Sequence, residues 1–335
     1  MYRRLEDISK DLGVSSATIS RALNKNTEHL VKKETRETIL SYVKETGYKP
    51  NLKARGLAKG KLTNLFLIQS EQDESIFYDL YYSDLINGIN NVIADSDYSL
   101  VILPIKNYYT EDQIYDILFN QETAGLFISP FCLNLDFPFG LIKDFEFPVI
   151  ALDSEIEGDN VYSIMLNHFE AGYKAAERLS KKKDRDIVFI SDSMQNLHSQ
   201  MRRSGFYSFF ERHNIGVEIT EFEFPLSYIS GGPVLEKILS LGKLPISVFV
   251  LSDEIGVNLI NQIWKKGLRC PEDIAVLGFD GLSIRNYTVP CLSSIGFNYY
   301  EVGKIAAKVL INTLSGKKER KKICIDAKVL EGLSI

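Results

Sequence analysis

Carboxylates and hydroxyls close several apolar runs in this sequence: Ser129 after LFI, Asp153 after VIAL, Ser252 and Asp253 after VFVL, and Asp280 after VLGF. A carboxylate at a strand end accepts hydrogen bonds from two sugar hydroxyls, so the set is equipped to recognise a polyol rather than to break bonds. A single Asp in such a place also serves as a turn or cap residue; three in equivalent places favour a ligand. Catalytic signatures do not occur. No G-x-G-x-x-G follows an apolar run, there is no G-x-S-x-G or H-E-x-x-H, and His29, His168, His198 and His213 are scattered. GLAKGKLT resembles a phosphate-binding loop, but its glycines are one residue too close and Leu62 stands where a Mg²⁺-binding Ser or Thr belongs. The expectation is a protein that is not an enzyme and needs no cofactor or metal.

A second group of residues points to a polyanion. In SSATISRALN, Ile19 and Leu23 face inward at i, i+4, while Ser16, Ala17, Ser20, Arg21 and Asn24 form a small, polar outer face. Short side chains let a helix approach base edges, and Arg21 can donate to guanine or phosphate. Charge agrees with this. Residues 1–61 carry 14 Lys and Arg against 7 acidic residues, net +7, whereas the rest carries 25 against 37, net −12. A basic head is attracted to nucleic acid while an acidic body resists promiscuous adhesion.

The elements that must position these groups follow from periodicity. Leu5, Ile8 and Leu12 mark a short helix stopped by Gly13, Ser15 caps the next, and a third from Lys32 to Thr46 turns Thr35, Ile39, Tyr42 and Val43 inward before Gly47. Pro50 then forbids continuation, and LKARGLAKG offers about eight helical residues, too few to be stable alone. That segment orders on binding, with Leu57 amid Lys53, Arg55, Lys59 and Lys61 suited to wedge a minor-groove step. From Asn64 the runs LFLIQ, SLVILP, AGLFISP and PVIALD, then DIVFIS, SVFVLS and IAVLGFD, alternate with amphipathic helices. This rhythm predicts two parallel sheets, each the centre of one lobe, with a ligand cleft between them at the strand C-termini.

Composition sets the outer limits. The chain has 335 residues, 45% hydrophobic and 25% charged, enough for a head and a two-lobed body. No stretch approaches the roughly 18 apolar residues of a membrane span, and MYRRLEDISKDLG lacks a signal-peptide core, so a cytoplasmic location without membrane partners is expected. Cys132, Cys270, Cys291 and Cys324 form no C-x-x-C pair and read as buried, reduced thiols.

LEDISKDLGVSSATISRALN followed by GYKPNLKARGLAKGKLT is similar to the head and hinge of the LacI/GalR family almost position for position, and GLRCPEDIAVLGFDGLS and RRSGFYSFF are close to signatures of that family's body. The resemblance spans the chain, strongly in the head and patchily elsewhere. It implies a small all-α helix-turn-helix head on an α/β body, the latter a two-lobed, parallel-sheet, periplasmic-binding-protein-like effector domain. Ser15, Ser16, Ala17, Thr18, Ser20 and Arg21 then lie on or cap the recognition helix, Ser16 and Ala17 help choose the operator, and Leu5, Asn24 and Tyr48 join the DNA contacts. Asn51, Ala54, Arg55 and Leu57 match the hinge, where Gly56 departs from the commoner Ser or Gln and weakens the helix.

The resemblance further implies effector contacts at Asp153, Arg202, Asp253 and Asp280, with Asp79, Tyr81 and Tyr82 on the first aromatic loop. Ser252 replaces the usual Asn, Asn167-His168 stands for Asp-Asn, and Phe297 takes a position often held by Gln, which points to a larger or more apolar effector ring. The expected layout is a head at 1–49, a hinge at 50–62 and an effector-binding and dimerisation domain at 63–335. Its lobes are about 63–163 with 293–320, and 164–291 with 321–335. A chain ending soon after VLEG leaves no room for a tetramerising heptad tail, so a homodimer on double-stranded, palindromic operator DNA is expected, with a small carbohydrate effector. A free-standing sugar binder is opposed by the basic head; a regulator controlled by a partner protein is favoured only by the pocket departures.

Overall fold

The computed structural model describes all residues except 1–4, 24–27, 47–61, 71–79, 106–108, 121–122, 130–141, 143–144, 193–195 and 225–230. The hinge and its Asn51, Ala54, Arg55 and Leu57, together with Asn24, Tyr48, Asp79 and Cys132, lie outside the described residues. The chain forms two compact units, Met1–Asn64 with Asp112–Ala124, and Leu65–Glu111 with Gly125–Ile335.

In the first unit the head comprises α1 (Leu5–Leu12), α2 (Ser16–Ala22), a 3₁₀ turn (Glu28–Leu30) and α3 (Lys33–Thr46). Gly13 ends α1 with φ +62°, a conformation that costs glycine little. Ile8, Ile19, Ala22 and Ile39 are buried at the centre, with Leu12, Val14, Leu23, Val31, Tyr42 and Val43 packed around them. So few apolar side chains make a modest core, and polar bonds supplement it. Ser9 Oγ donates to Val14 O at 2.7 Å, Tyr42 hydrogen-bonds Asp11, and Arg36 pairs with Glu28. This unit also holds most of α5 (Glu111–Asn120).

The second unit is built on two six-stranded sheets. The first runs β2 (Ser99–Ile105), β1 (Asn64–Ser70), β3 (Thr123–Ile128), β4 (Val149–Leu152), β5 (Val161–Leu166), β11 (Lys322–Ile325). The second runs β7 (Ile219–Phe224), β6 (Asp186–Asp192), β8 (Ile246–Val250), β9 (Ile274–Asp280), β10 (Ser293–Gly296), β12 (Lys328–Leu330). Pairing is parallel at β3–β4–β5–β11 and at β7–β6–β8–β9–β10, and antiparallel at β10–β12. Central strands such as β3, β4 and β8 are buried along their whole length, as strands covered on both faces must be.

The strands put the lobe boundary in a different place from the sequence. β10, assigned by sequence to the first lobe, pairs with β9 in the second sheet; β11, assigned to the second, pairs with β5 in the first. The chain therefore crosses between sheets after Leu166, after Gly296 and after Ile325. Asn167 ties the first crossing to the third, donating its amide N–H to Ile325 O at 2.9 Å and its side-chain N–H to Asp326 at 2.8 Å. The cysteines also differ from expectation: Cys270 and Cys291 are half-buried, and Cys324 is exposed because it sits on edge strand β11.

Helices α6 (His168–Ser180) and α7 (Leu197–His213) pack together in the second lobe. Their approach requires glycine: a Cβ on Gly172 would lie 1.9 Å from Arg202 O, and one on Gly205 would lie 1.9 Å from Phe169 O. Behind α7, Phe206 stacks on Phe189 and Phe249, with centroids 5.0 and 5.3 Å away. Phe249 meets Phe279 edge-on at 6.5 Å. Remaining helices are α4 (Leu80–Ile93), α8 (Gly231–Leu239), α9 (Asp253–Lys265) and α10 (Tyr299–Leu314); α4 and α10 pack together in the first lobe. Gly172→Ala should push α6 from α7 and cost about 1–3 kcal/mol of stability, seen as a lower urea midpoint. Ala at Gly216, whose Cβ meets nothing within 4 Å, should leave that midpoint unchanged.

Candidate effector site and nucleic-acid interface

The polar centre of the second unit forms where the lobes exchange chain. Asp153 ends β4 with φ 46°, and Asp280 ends β9 with φ 105°, both in backbone regions unusual for residues with a side chain. Such conformations persist where surrounding structure over-determines them, commonly at ligand sites. Asp153 is 7% exposed. Its Oδ1 accepts the Leu166 N–H at 3.1 Å, its Oδ2 lies 2.8 Å from His168 Nε2, and His198 Nδ1 approaches Oδ2 to 3.5 Å. His168 opens α6 just after the first crossing, and His198 and Arg202 stand one turn apart on α7. The two imidazoles stack with centroids 4.4 Å apart, and Phe297, at the second crossing, meets His168 edge-on at 5.4 Å.

Hydrogen bonding fixes the protonation of this cluster. Arg202 Nε donates to His168 Nδ1 at 3.1 Å. A guanidinium only donates, so Nδ1 must be the bare nitrogen and Nε2 must carry the proton, which it gives to Asp153. His168 is accordingly neutral: burial, then the charge of Arg202, hold its pKa down at about 4 against the pull of Asp153. Burial and Arg202 likewise lower His198. Burial alone would raise Asp153, but the hydrogen bond from His168 and the neighbouring imidazoles outweigh it, and the carboxyl stays below its ordinary value.

Asp153, His168 and His198 bring three ligand atoms within 4.8 Å of one another, a spacing a divalent ion could use. The same proton argues against that use, since His168 Nε2 has no lone pair to give while Nδ1 accepts from Arg202.

Several residues expected at the cleft are turned inward. Asp253 is fully buried, its Oδ2 accepting the Leu282 N–H at 2.7 Å, and burial followed by the Asp280 charge raises its pKa well above the usual range. It braces the β9 turn instead of facing solvent. Ser129 and Tyr82 are also buried and bonded to each other, and Ser252 caps α9 by accepting the Ile255 N–H. Tyr81 remains half-buried beside Tyr299, and Asp280 and Arg202 are half-buried. His168 was read from the sequence as a departure within the pocket, whereas His198 was not singled out; its i, i+4 spacing from Arg202 was the available signal.

In the head, Ser15 caps α2 as expected, its Oγ accepting the Thr18 N–H at 3.1 Å. Thr18 is half-buried with its hydroxyl 2.8 Å from Ser15 Oγ, so it stabilises the cap. Ser15, Ala17, Ser20 and Arg21 are exposed and Ser16 half-buried, while Ile19 and Ala22 face the core. Leu5 lies in α1. The 3₁₀ turn was unforeseen; it leaves His29 and Leu30 exposed after α2.

A capped helix with a small, exposed polar face and a two-sheet α/β body are the parts of a DNA-binding transcription regulator, and the relatives of the chain are repressors, not enzymes. Residues 4–51 match the family described as bacterial regulatory proteins, lacI family, and residues 176–335 match the periplasmic binding protein-like domain. The chain is a member of the LacI/GalR family. It is similar to the probable HTH-type transcriptional repressor ExuR of Bacillus subtilis (strain 168), at 27% identity over 93% of this chain and 91% of that protein. Its fold resembles the lac repressor dimer bound to operator and the anti-inducer ONPF, with a TM-score of 0.65 at 20% identity over 100% of this chain and 99% of that one. It also resembles the CelR–cellobiose complex, with a TM-score of 0.66 at 20% identity over 99% of each chain. Among the described residues, no helix is long and apolar enough to cross a membrane.

A histidine held neutral by the fold stabilises it only while it stays neutral. Because the folded pKa lies near 4, below the ordinary 6.5, this contribution is complete above about pH 6.5 and is lost as pH falls toward 4. Thermal or urea unfolding should show wild-type protein losing roughly 2 kcal/mol more than His168→Gln between pH 6.5 and 4.5. Parallel curves would show that His168 titrates normally.

Proposed function

We propose that the chain is a homodimeric repressor that binds a palindromic operator through α2 and whose DNA affinity is set by a sugar or sugar derivative between its lobes. The carrying observation is the convergence of Asp153 from the first lobe with His168, His198 and Arg202 from the second, an arrangement a ligand can remodel. Relatives support the class: ExuR carries a repressor's name, and the CelR structure holds cellobiose. Acting on DNA places the protein in the cytoplasm. Effector binding rotates the first lobes of the dimer and so orders or melts the two hinge segments on DNA; the short, glycine-containing sequence of 50–61 motivates this step.

Dimerisation is supported by an apolar surface on the second lobe. Trp264 is 76% exposed, Tyr287 82% and Val289 92%, and Trp264 and Val289 rim a depression of about 220 Å³. Side chains of this kind stay exposed in monomers at a cost, and the likeness in fold to the lac repressor dimer supports a second copy as the occupant. Sedimentation should show wild-type protein as a dimer and a Trp264→Ser, Val289→Asp double variant as a monomer; a double variant that stayed dimeric would place the interface elsewhere.

The test of function is capture of sheared genomic DNA by the purified chain, with and without added metabolites, followed by sequencing. An enriched palindrome whose affinity falls on the order of 100-fold when salt doubles supports the reading. Arg21→Ala should weaken binding to that site about 10- to 100-fold. Absence of any enriched motif in all samples would reject a sequence-specific regulator.

A further inference from the structure

We propose that the loop joining α10 to β11 is a second DNA-binding element, in which Lys317, Lys318 and Arg320 pair with backbone phosphates flanking the operator. This rests on the reading of the chain as a DNA-binding regulator and adds a contact made by the body.

Residues 317–322 read KKERKK, five cations against one acid in a body that is otherwise acidic, and all five cations are exposed. Glu319 is drawn against α10, where it accepts the Asn312 side-chain N–H at 2.6 Å, while Lys318 and Arg320 on either side of it stay in solvent. The neighbouring acids Glu155, Glu157 and Asp159 lie in the segment before β5, and it is the last two cations that meet this segment. Lys322 pairs with Glu155 at 2.7 Å; Lys321 donates to Asp159 O and covers the Tyr162 ring, its Nζ 4.1 Å from the centroid. Lys317 Nζ makes one long bond, to Asn312 Oδ1 at 3.4 Å. Among the described residues, the side chains of Lys318 and Arg320 make neither an ion pair nor a hydrogen bond. The helix macrodipole favours lysine near a C-terminus, but that pull fades beyond the last turn, and the last turn of α10 holds no cation.

Chain topology selects the partner. Strands β3, β4, β5 and β11 run parallel. β1 runs with them, because Ser129, just past the end of β3, donates its N–H to Ile68 O near the end of β1 at 3.1 Å. The loop therefore lies at the edge of the first sheet where these strands begin, opposite the strand ends that carry Asp153. The chain coming from the head enters at this same edge, at Asn64, and β1 and β11 are four strand spacings apart, roughly 19 Å. A head held on DNA thus tethers this edge of the body, and not the opposite one, to the duplex. Hydrated cations that meet no internal acid release counterions from phosphates, which adds affinity that is independent of sequence and steep in salt.

Fluorescence anisotropy of the full chain tests this on the palindrome recovered by genomic capture. Two duplexes are used, one ending at the palindrome and one extended by about 12 base pairs on each side, which at about 3.4 Å per pair exceeds the width of the sheet edge. A triple variant, Lys317→Gln with Lys318→Gln and Arg320→Gln, is compared with Lys181→Gln, Lys182→Gln and Lys183→Gln together, which removes the same charge from the loop between α6 and β6. Wild-type protein and the second-lobe variant should gain about tenfold in affinity from the added flanks. The α10–β11 variant should lose that gain yet bind the short duplex as wild type does, which also reports that it is folded. On the long duplex its dependence of log affinity on log salt should be shallower by about 2–3. Equal gains and slopes for all three proteins, or equal losses in both variants, overturn the loop contact and leave the DNA-binding reading standing. A capture that yields no palindrome, or wild-type protein that binds neither duplex, overturns both.

Discussion

His168 occupies the first point at which the chain passes from one sheet to the other, and its two ring nitrogens are both committed. Nδ1 receives a proton bond from Arg202 on α7, and Nε2 gives one to Asp153 at the end of β4. Only a neutral ring of one tautomer can make both bonds. The first lobe, the second lobe and a guanidinium are therefore joined through a single imidazole, and disturbing any of the three changes what the others can do. Around it, the close approach of α6 and α7 at Gly172 and Gly205 fixes where Arg202 stands, and the Phe189–Phe206–Phe249 stack fixes where α7 stands. Each aromatic pair contributes about 0.5–1.5 kcal/mol beyond its burial, which suits a scaffold that must hold a polar cluster steady.

The same region carries local cost. Asp153 and Asp280 sit at positive φ, which costs on the order of 1–3 kcal/mol each. Asp153 is held by the Leu166 N–H, and the turn after Asp280 by the buried acid of Asp253 and by Gly296, where a Cβ would fall 2.2 Å from the Asp280 carbonyl carbon. Among the described residues, no other strand end carries a non-glycine residue at positive φ. Strain, buried acids and stacked imidazoles gather where the sheets exchange chain, which separates this cluster from ordinary surface ion pairs such as Lys243 with Glu218.

Much of this was legible in the sequence where burial writes a simple pattern. Strands covered on both faces, such as IAVLGFD and SVFVLS, read as continuous apolar runs, and the capped second helix of the head read correctly from Ser15 and Ile19. β7 and β11 were missed because edge strands are half-exposed and carry charge, as ITEFEF and KICI do. β10 was missed because SSIG is four residues with no apolar run, although every one of them is buried. That omission also displaced the lobe boundary, since β10 belongs to the second sheet. Among the acids at strand ends, sequence gave no means of separating the buried brace Asp253 from the half-buried Asp280. That difference depends on the turn at Gly281–Leu282 folding back over α9.

The pairing of His168 with His198 lay beyond sequence for a different reason. Thirty residues separate them, and only the helix crossing brings their rings together. Once they are together, the consequence for Arg202 follows from counting donors and acceptors. Two imidazoles and a backbone amide occupy Asp153, so among the described residues that carboxylate makes no ion pair with the cation one turn from His198. A ligand that draws the guanidinium toward itself weakens the bond to Nδ1, and a weakened bond there frees His168 to accept a second proton and pull harder on Asp153. Charge at Arg202 is in this way transmitted to the His168–Asp153 hydrogen bond, which joins the lobes, and by linkage a change in the grip of the lobes on each other changes affinity for a ligand held between them.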